Sequence, residues 1–264
     1  MDRKINKLKK ILKNLKSAVI AYSGGLDSTF LLKVAVDTLG SKNVLAVTAR
    51  SETYPISEYK EAARIARSIG ARHLTIHTEE LKIKKFKSNP VNRCYYCKRE
   101  LFKKLGGIKN RYGMAYVLDG TNYDDLKDMR HGKRAAGELG VKSPLLEARM
   151  TKADIRRFSK RLGLPTWDKP SFACLASRIP FKDEITIAGL RRIDIAEGYL
   201  KGLGFKQFRV RAHKDIARIE ILKDEFKKAL RFHDSMSDKL KDLGFVYVTL
   251  DLGGYRMGSM HEAA

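Results

Sequence analysis

The sequence predicts an α/β fold in which a parallel sheet carries helices on both faces, followed by a smaller C-terminal α+β domain. Three observations carry that expectation. Strand-length apolar runs alternate with helical patterns through the first half of the chain, a glycine turn joins the first of those strands directly to a helix, and from about residue 183 the order becomes helix, strand, strand, helix, strand.

Taken in order, Ile5, Leu8, Ile11, Leu12 and Leu15 recur at helical spacing with lysines between them, which predicts a scaffold helix ahead of a strand at 17–23. Further strands are expected at 43–50, 72–78 and 115–118, with a helix at 57–68, and this alternation implies right-handed crossovers in a parallel sheet. Ligands on such sheets bind beyond the carboxyl ends of the strands. That rule places Ser23, then Thr48 and Arg50, then Gly120 and Thr121, on one rim. Residues 87–98 break the alternation with Asn89-Pro90 and Cys94-Tyr95-Tyr96-Cys97, a candidate functional loop. Thr151 is placed to cap a helix over 151–162 with Asp154 at its third position, and Gly163-Leu164-Pro165 stops it. A second loop, 169–180, carries Cys174. Residues 208–211 and 216–222 alternate as half-buried strands do, and the domain boundary is expected at 180/181.

The chemistry starts at Ser23-Gly24-Gly25-Leu26-Asp27-Ser28. Glycines permit positive φ and close backbone approach, serines add hydroxyl donors, and a helix start converges N–H groups on an anion. The stretch has neither a Walker Gly-Lys-Ser/Thr ending nor the spacing of a dinucleotide fingerprint. It resembles the PP-loop of adenylating N-type ATP pyrophosphatases, which split ATP between the α and β phosphates. A plain strand-to-helix connection capped by Asp27 would leave both glycines and both serines without a reason.

Among 264 residues, 54 Lys and Arg against 30 Asp and Glu give a net charge of +24. Such a balance suits phosphorylated or polyanionic partners, or simply a lysine-rich solvated surface. No apolar run approaches the roughly 20 residues that span a bilayer, and the basic N-terminus runs into an amphipathic pattern, so a cytoplasmic protein with no membrane partner is expected. Three cysteines argue against a disulfide framework and for metal or sulfur chemistry. The Cys94-x-x-Cys97 spacing suits zinc, a redox dithiol or an iron–sulfur cluster, and Cys174 adds a third thiolate if the loops meet. The competing reading makes Cys174 a small core residue and the pair incidental.

Over nearly the whole chain the sequence resembles the LarE family. The resemblance rests on residues 21–28 from Ala21 to Ser28, on Leu118-Asp119-Gly120-Thr121-Asn122-Tyr123-Asp124-Asp125, on Ala173-Cys174-Leu175-Ala176-Ser177-Arg178, on 209–220, and on Tyr247-Val248-Thr249-Leu250-Asp251-Leu252-Gly253-Gly254. It implies an ATP-dependent sulfur transferase that makes the pyridinium dithio-mononucleotide precursor of the nickel-pincer cofactor. A pyridinium carboxylate would be adenylated, and a sulfur nucleophile would then displace AMP to leave a thiocarboxylate. One branch of the family sacrifices a cysteine at the Cys174 position. This chain matches the other branch, whose three cysteines, here Cys94, Cys97 and Cys174, hold a [4Fe-4S] cluster.

The resemblance further implies ATP and Mg2+ at Ala21, Ser23, Gly24, Gly25, Asp27, Ser28, Thr48, Arg50, Gly120 and Thr121, with Asp27, Lys98 and Cys174 as catalytic candidates. Lys98 is otherwise an ordinary solvated lysine. Arg209 and Arg211, at i and i+2 of one strand face, could grip a substrate phosphate, joined by Arg218 and near Ser177, Arg178 and Glu197. Asp124, Asp125 and Asp128 are either magnesium ligands or a solvated acidic turn. The partners implied are a small pyridinium mononucleotide, a sulfide donor protein and further copies of the chain, with no nucleic acid. Two rivals share much of the pattern: a tRNA thiolase on the same loop, and a zinc-stabilised, non-catalytic nucleotide- or RNA-binding protein.

Overall fold

A computed structural model of the chain describes residues 3–127, 131–170 and 173–256. Two compact units emerge, one comprising Met1–Glu80 and Asn92–Phe172, the other Leu81–Val91 and Ala173–Ala264.

In the first unit the amphipathic α1 (Arg3–Leu15) buries Ile5, Leu8 and Leu12 and keeps its lysines outward. Then follow β1 (Ala18–Ala21), α2 (Leu26–Leu39), β2 (Val44–Arg50), α3 (Ile56–Ser68) and β3 (Arg72–His77). After α4 (Lys84–Lys87), which belongs to the second unit, the first unit resumes with α5 (Arg93–Arg111), β4 (Tyr116–Leu118), α6 (His131–Glu138), α7 (Pro144–Glu147) and α8 (Lys152–Arg161). The sheet order is β3-β2-β1-β4 and every pairing is parallel.

Strand periodicity explains why this sheet has two cores. Ala18, Ile20, Val44, Ala46 and Leu118 pack with Leu8, Phe30, Ala62 and Phe158, while the alternate Val19, Leu45, Val47 and Val117 pack with Phe102, Leu105 and Ala136 of α5 and α6. Helices on both faces, as expected from sequence, follow directly. β1 lies between β2 and β4, so the chain reverses its winding at β1 and leaves the crevice at its carboxyl end open to a ligand.

The second unit continues with α9 (Ile187–Gly202), β5 (Phe208–His213), β6 (Ile216–Ile221), α10 (Phe226–Arg231), α11 (His233–Asp242) and β7 (Tyr247–Leu250). β5 pairs antiparallel with β6 and β6 parallel with β7, a small mixed sheet. Among the described residues no helix is long and apolar enough to cross a membrane.

One expectation is corrected. The cysteine pair does not lie in a loop: Asn92 is the N-cap of α5, and Cys94 and Cys97 are the second and fifth residues of that helix. Asn89-Pro90 breaks the chain only ahead of the cap, and beyond it the helix is anchored by buried Phe102 and Leu105.

At α8 the local rules hold in detail. Thr151 and Asp154 form a reciprocal capping box, and Lys4 of α1 reaches the Asp154 carboxylate at 2.5 Å. Burial pushes the Asp154 carboxyl up, but the Lys4 and Thr151 hydrogen bonds outweigh it and hold the pKa at about 2. A folded-state pKa depressed in this way contributes stability above the ordinary carboxylate range that is lost as pH falls towards 2. Thr151→Ala should cost about 1 kcal/mol in denaturant titrations at neutral pH. Asp154→Asn should lower stability at pH 7 and converge on wild type near pH 2.

Candidate active site

The first strand ends in the turn whose local sequence forces its shape. Gly24 has φ +65°, a conformation that L side chains rarely adopt, and a Cβ there would stand 2.5 Å from the Cβ of Ala62 on α3. Gly25 is the N-cap of α2 and supplies no side-chain cap, so none of the first-turn amides is occupied by one. Asp27 is therefore not the cap; it lies within the first turn. Ser23 and Ser28 hydroxyls face each other at 3.1 Å, and Ser28 Oγ also accepts from the Ser23 amide at 3.3 Å. Gly120 closes on the same turn, since a Cβ there would lie 3.1 Å from the Ser28 nitrogen. Thus the ends of β1 and β4 meet around the α2 N-terminus.

On β2, Thr48 is buried and its hydroxyl pairs with His73 Nε2 of β3 at 2.8 Å. Burial first, then Arg67, lowers the His73 pKa, which keeps the imidazole neutral. Arg50 at the rim stacks over Tyr59 of α3. Thr121 is held by Asp119, which accepts from its hydroxyl at 2.8 Å and from its amide at 3.2 Å. Asp124 accepts from the Lys152 amide at 2.7 Å and buried Asp125 accepts from the Asn122 amide at 3.1 Å, so both brace the turn; Asp128 lies outside the described residues.

The spacing arguments missed three residues around the loop. Tyr54, following β2, donates to the Ser23 carbonyl at 2.6 Å. Lys169 sits at 2.8 Å from Glu58 and 2.9 Å from Glu61 of α3. Glu80, buried, accepts from Ser51 at 2.6 Å and Thr53 at 2.8 Å and pins the segment that carries Tyr54. Only the run Ser51-Glu52-Thr53-Tyr54-Pro55 after a strand end could have marked any of them.

Cys94 is exposed and Cys97 half-buried, three positions apart on one face of α5. Lys98 beside them is exposed, with its ammonium 5.5 Å from the Phe102 ring centre. In the second unit, Cys174 precedes a 3-10 turn over Leu175–Arg178. Arg178 folds back over that turn: its Nη1 donates to the Ala173 carbonyl, to the Cys174 carbonyl at 3.0 Å and to Ser177 Oγ at 3.1 Å. Its other edge forms a bidentate pair with Glu197 of α9, Nε to Oε1 at 2.9 Å and Nη2 to Oε2 at 2.8 Å, and Arg178 has 0% exposure. Glu197 also accepts from the Val210 amide, tying α9 to β5.

The β5–β6 register sets Arg209 opposite Glu220 and Arg211 opposite Arg218, so all four share one sheet face. Glu220 takes Arg211 and Arg218, one on each oxygen, both at 3.0 Å, and Arg211 also donates to the Ser177 carbonyl at 2.7 Å. Arg209 stacks on Tyr255. Burial first, then the neighbouring Arg178, pulls the Arg209 pKa down. Four guanidinium groups thus face three carboxylates, Glu197, Glu220 and Asp251, an excess of positive charge where an anion would be stabilised.

Against known proteins, residues 2–123 match the NAD synthase family. A pyridinium-3,5-bisthiocarboxylic acid mononucleotide synthase of Lactiplantibacillus plantarum is 40% identical over 95% of this chain and 91% of its own length. The chain belongs to the LarE family. An uncharacterised protein of Synechocystis is 41% identical over 99% of this chain and 98% of its own, and another of Methanocaldococcus jannaschii 35% over 95% of each. The LarE chain described here is accordingly an ATP-dependent enzyme on a PP-loop α/β fold. Cys94 and Cys97 belong to one unit and Cys174 to the other, and among the described residues no group of three or more His, Cys, Asp or Glu side chains is arranged to hold a metal ion.

Removing one member of a buried ion pair strands the other, at a cost of about 3–5 kcal/mol. Arg178→Met should therefore destabilise the second unit by that amount in chemical denaturation. Arg178→Met/Glu197→Leu should recover part of the loss.

Proposed function

We propose that the protein adenylates a pyridinium carboxylate mononucleotide and converts it to a thiocarboxylate in nickel-pincer cofactor biosynthesis. What supports this reading, in a chain of this family, is a PP-loop without a Walker lysine together with a cysteine turn that a buried arginine fixes beside a positively charged sheet face.

A carboxylate oxygen of the substrate attacks the α-phosphorus of magnesium-bound ATP, and the bond to the bridging oxygen breaks to release pyrophosphate. A sulfur nucleophile then attacks the carboxyl carbon of the acyl-adenylate, AMP departs with the C–O electron pair, and the thiocarboxylate remains. A carboxylate is a poor acceptor until one oxygen becomes such a leaving group. The Gly24 and Gly25 amides, the Ser23 and Ser28 hydroxyls and Lys98 are assigned to the phosphates, Asp27 to their magnesium, and Thr48, Arg50, Gly120 and Thr121 to the nucleotide on the same rim. Arg209, Arg211 and Arg218 are assigned to the substrate phosphate, with Ser177, Arg178 and Glu197 orienting the turn at Cys174.

The three thiols suit an iron–sulfur cluster in donor chemistry. None is in a disulfide, and Cys94 and Cys97 lie about one helical turn apart near the start of α5. Cys94, Cys97 and Cys174 would hold a [4Fe-4S] cluster, which when bound offers one iron open to an exogenous sulfur ligand. Residues 1–180 are assigned as the ATP pyrophosphatase domain, with segments 81–91 and 173–180 packing in the second unit, and 181–264 as the substrate-binding and oligomerisation domain of a cytoplasmic homo-oligomer supplied by a sulfide donor protein.

Protein purified without oxygen should contain about four irons per chain and release AMP and pyrophosphate only with a pyridinium dicarboxylate mononucleotide. Cys174→Ala should keep pyrophosphate release and lose thiocarboxylate formation. AMP formation that depends on tRNA, or zinc in place of iron, would overturn the reading. Iron-free protein whose Cys174 loses its sulfur in one turnover would replace the cluster with a sacrificial cysteine.

A further inference from the structure

Two side chains grip the nucleotide loop at its carbonyls. Tyr54 donates to the Ser23 oxygen at 2.6 Å, and Lys169 Nζ stands 3.5 Å from the Gly24 oxygen while pairing with Glu58 and Glu61. The described residues contain no cis peptide, and a trans peptide points its carbonyl and the following N–H in opposite directions. A donor on the Ser23 carbonyl therefore aims the Gly24 N–H the other way, and a donor on the Gly24 carbonyl does the same for Gly25.

Charge adds a second effect. Glu58 and Glu61, one turn apart on α3, both pair with the ammonium that stands at the loop, and with that ammonium removed their negative charge would repel a polyphosphate. Burial opposes the charge on Lys169, but the hydrogen bonds it donates to both glutamates outweigh it and raise its pKa, so the lysine stays protonated. Burial first, then Glu58, raises the pKa of Tyr54, which stays a donor.

We propose that Tyr54 and Lys169 are positioning residues for phosphate recognition: both orient the Ser23–Gly25 peptides towards the nucleotide, and Lys169 also masks Glu58 and Glu61. The inference rests on the ATP dependence of the family and is independent of which acceptor is adenylated. Glu80 supports it from behind by holding Ser51 and Thr53.

Titration calorimetry of the full chain with magnesium and three probes, ATP, inorganic pyrophosphate and adenosine, tests the proposal. Tyr54→Phe should weaken ATP and pyrophosphate about five- to tenfold and leave adenosine within about twofold. Lys169→Met should weaken the two phosphates at least about tenfold, an effect that shrinks as salt screens the glutamates. Adding Glu58→Gln and Glu61→Gln to Lys169→Met should restore most of the loss, and Lys169→Arg should retain affinity. A merely structural lysine predicts no such rescue. Adenosine affinity falling in parallel, a triple variant no better than Lys169→Met, or unchanged pyrophosphate affinity in Tyr54→Phe would each overturn it. Should Lys169→Met not fold, Tyr54→Phe, which removes a single oxygen, decides alone.

Discussion

The approach of Gly24 to Ala62 is the constraint on which the first unit's chemistry depends. Because the turn after β1 runs against the backbone of α3 with no room for a side chain, its residues are read through peptide groups and hydroxyls. The sheet supplies the rest: β1 is flanked by β2 and β4, so Thr48 and Gly120 arrive at the same edge as Ser23. A site made of amides has no pKa to tune. It depends instead on keeping its peptide planes in one orientation, which explains why polar side chains are spent on loop carbonyls.

In the second unit, order comes from charge. Arg178, with no exposed surface, could not be buried without Glu197, and the pair is satisfied further by the carbonyls around Cys174. The β5–β6 register then collects three more arginines on one face with two glutamate oxygens between two of them. The same interactions that fix the cysteine turn also set the charge of the sheet face beside it.

The cysteines occupy contrasting settings. Cys94 and Cys97 ride on a regular helix, where spacing is set by the 3.6-residue turn, whereas Cys174 is held by its own carbonyl through Arg178. Helix geometry makes the pair's separation insensitive to its surroundings, while the position of the third depends on a tertiary ion pair.

The parts legible in the sequence are those whose physics is local. Strand-length apolar runs alternating with helical patterns determined the parallel sheet with helices on both faces, the glycine and serine turn determined a PP-loop without a Walker lysine, and Thr151 with Asp154 determined the start of α8. Asn89-Pro90 misled, because a chain break before a helix cap reads like a loop. What only the tertiary structure decided are pairings between positions far apart in the chain: Lys169 with Glu58 and Glu61, Tyr54 with Ser23, Arg178 with Glu197, and Glu80 with Ser51. No spacing rule encodes such partners, since a side chain's neighbour across a fold is fixed by the packing of the elements that carry it.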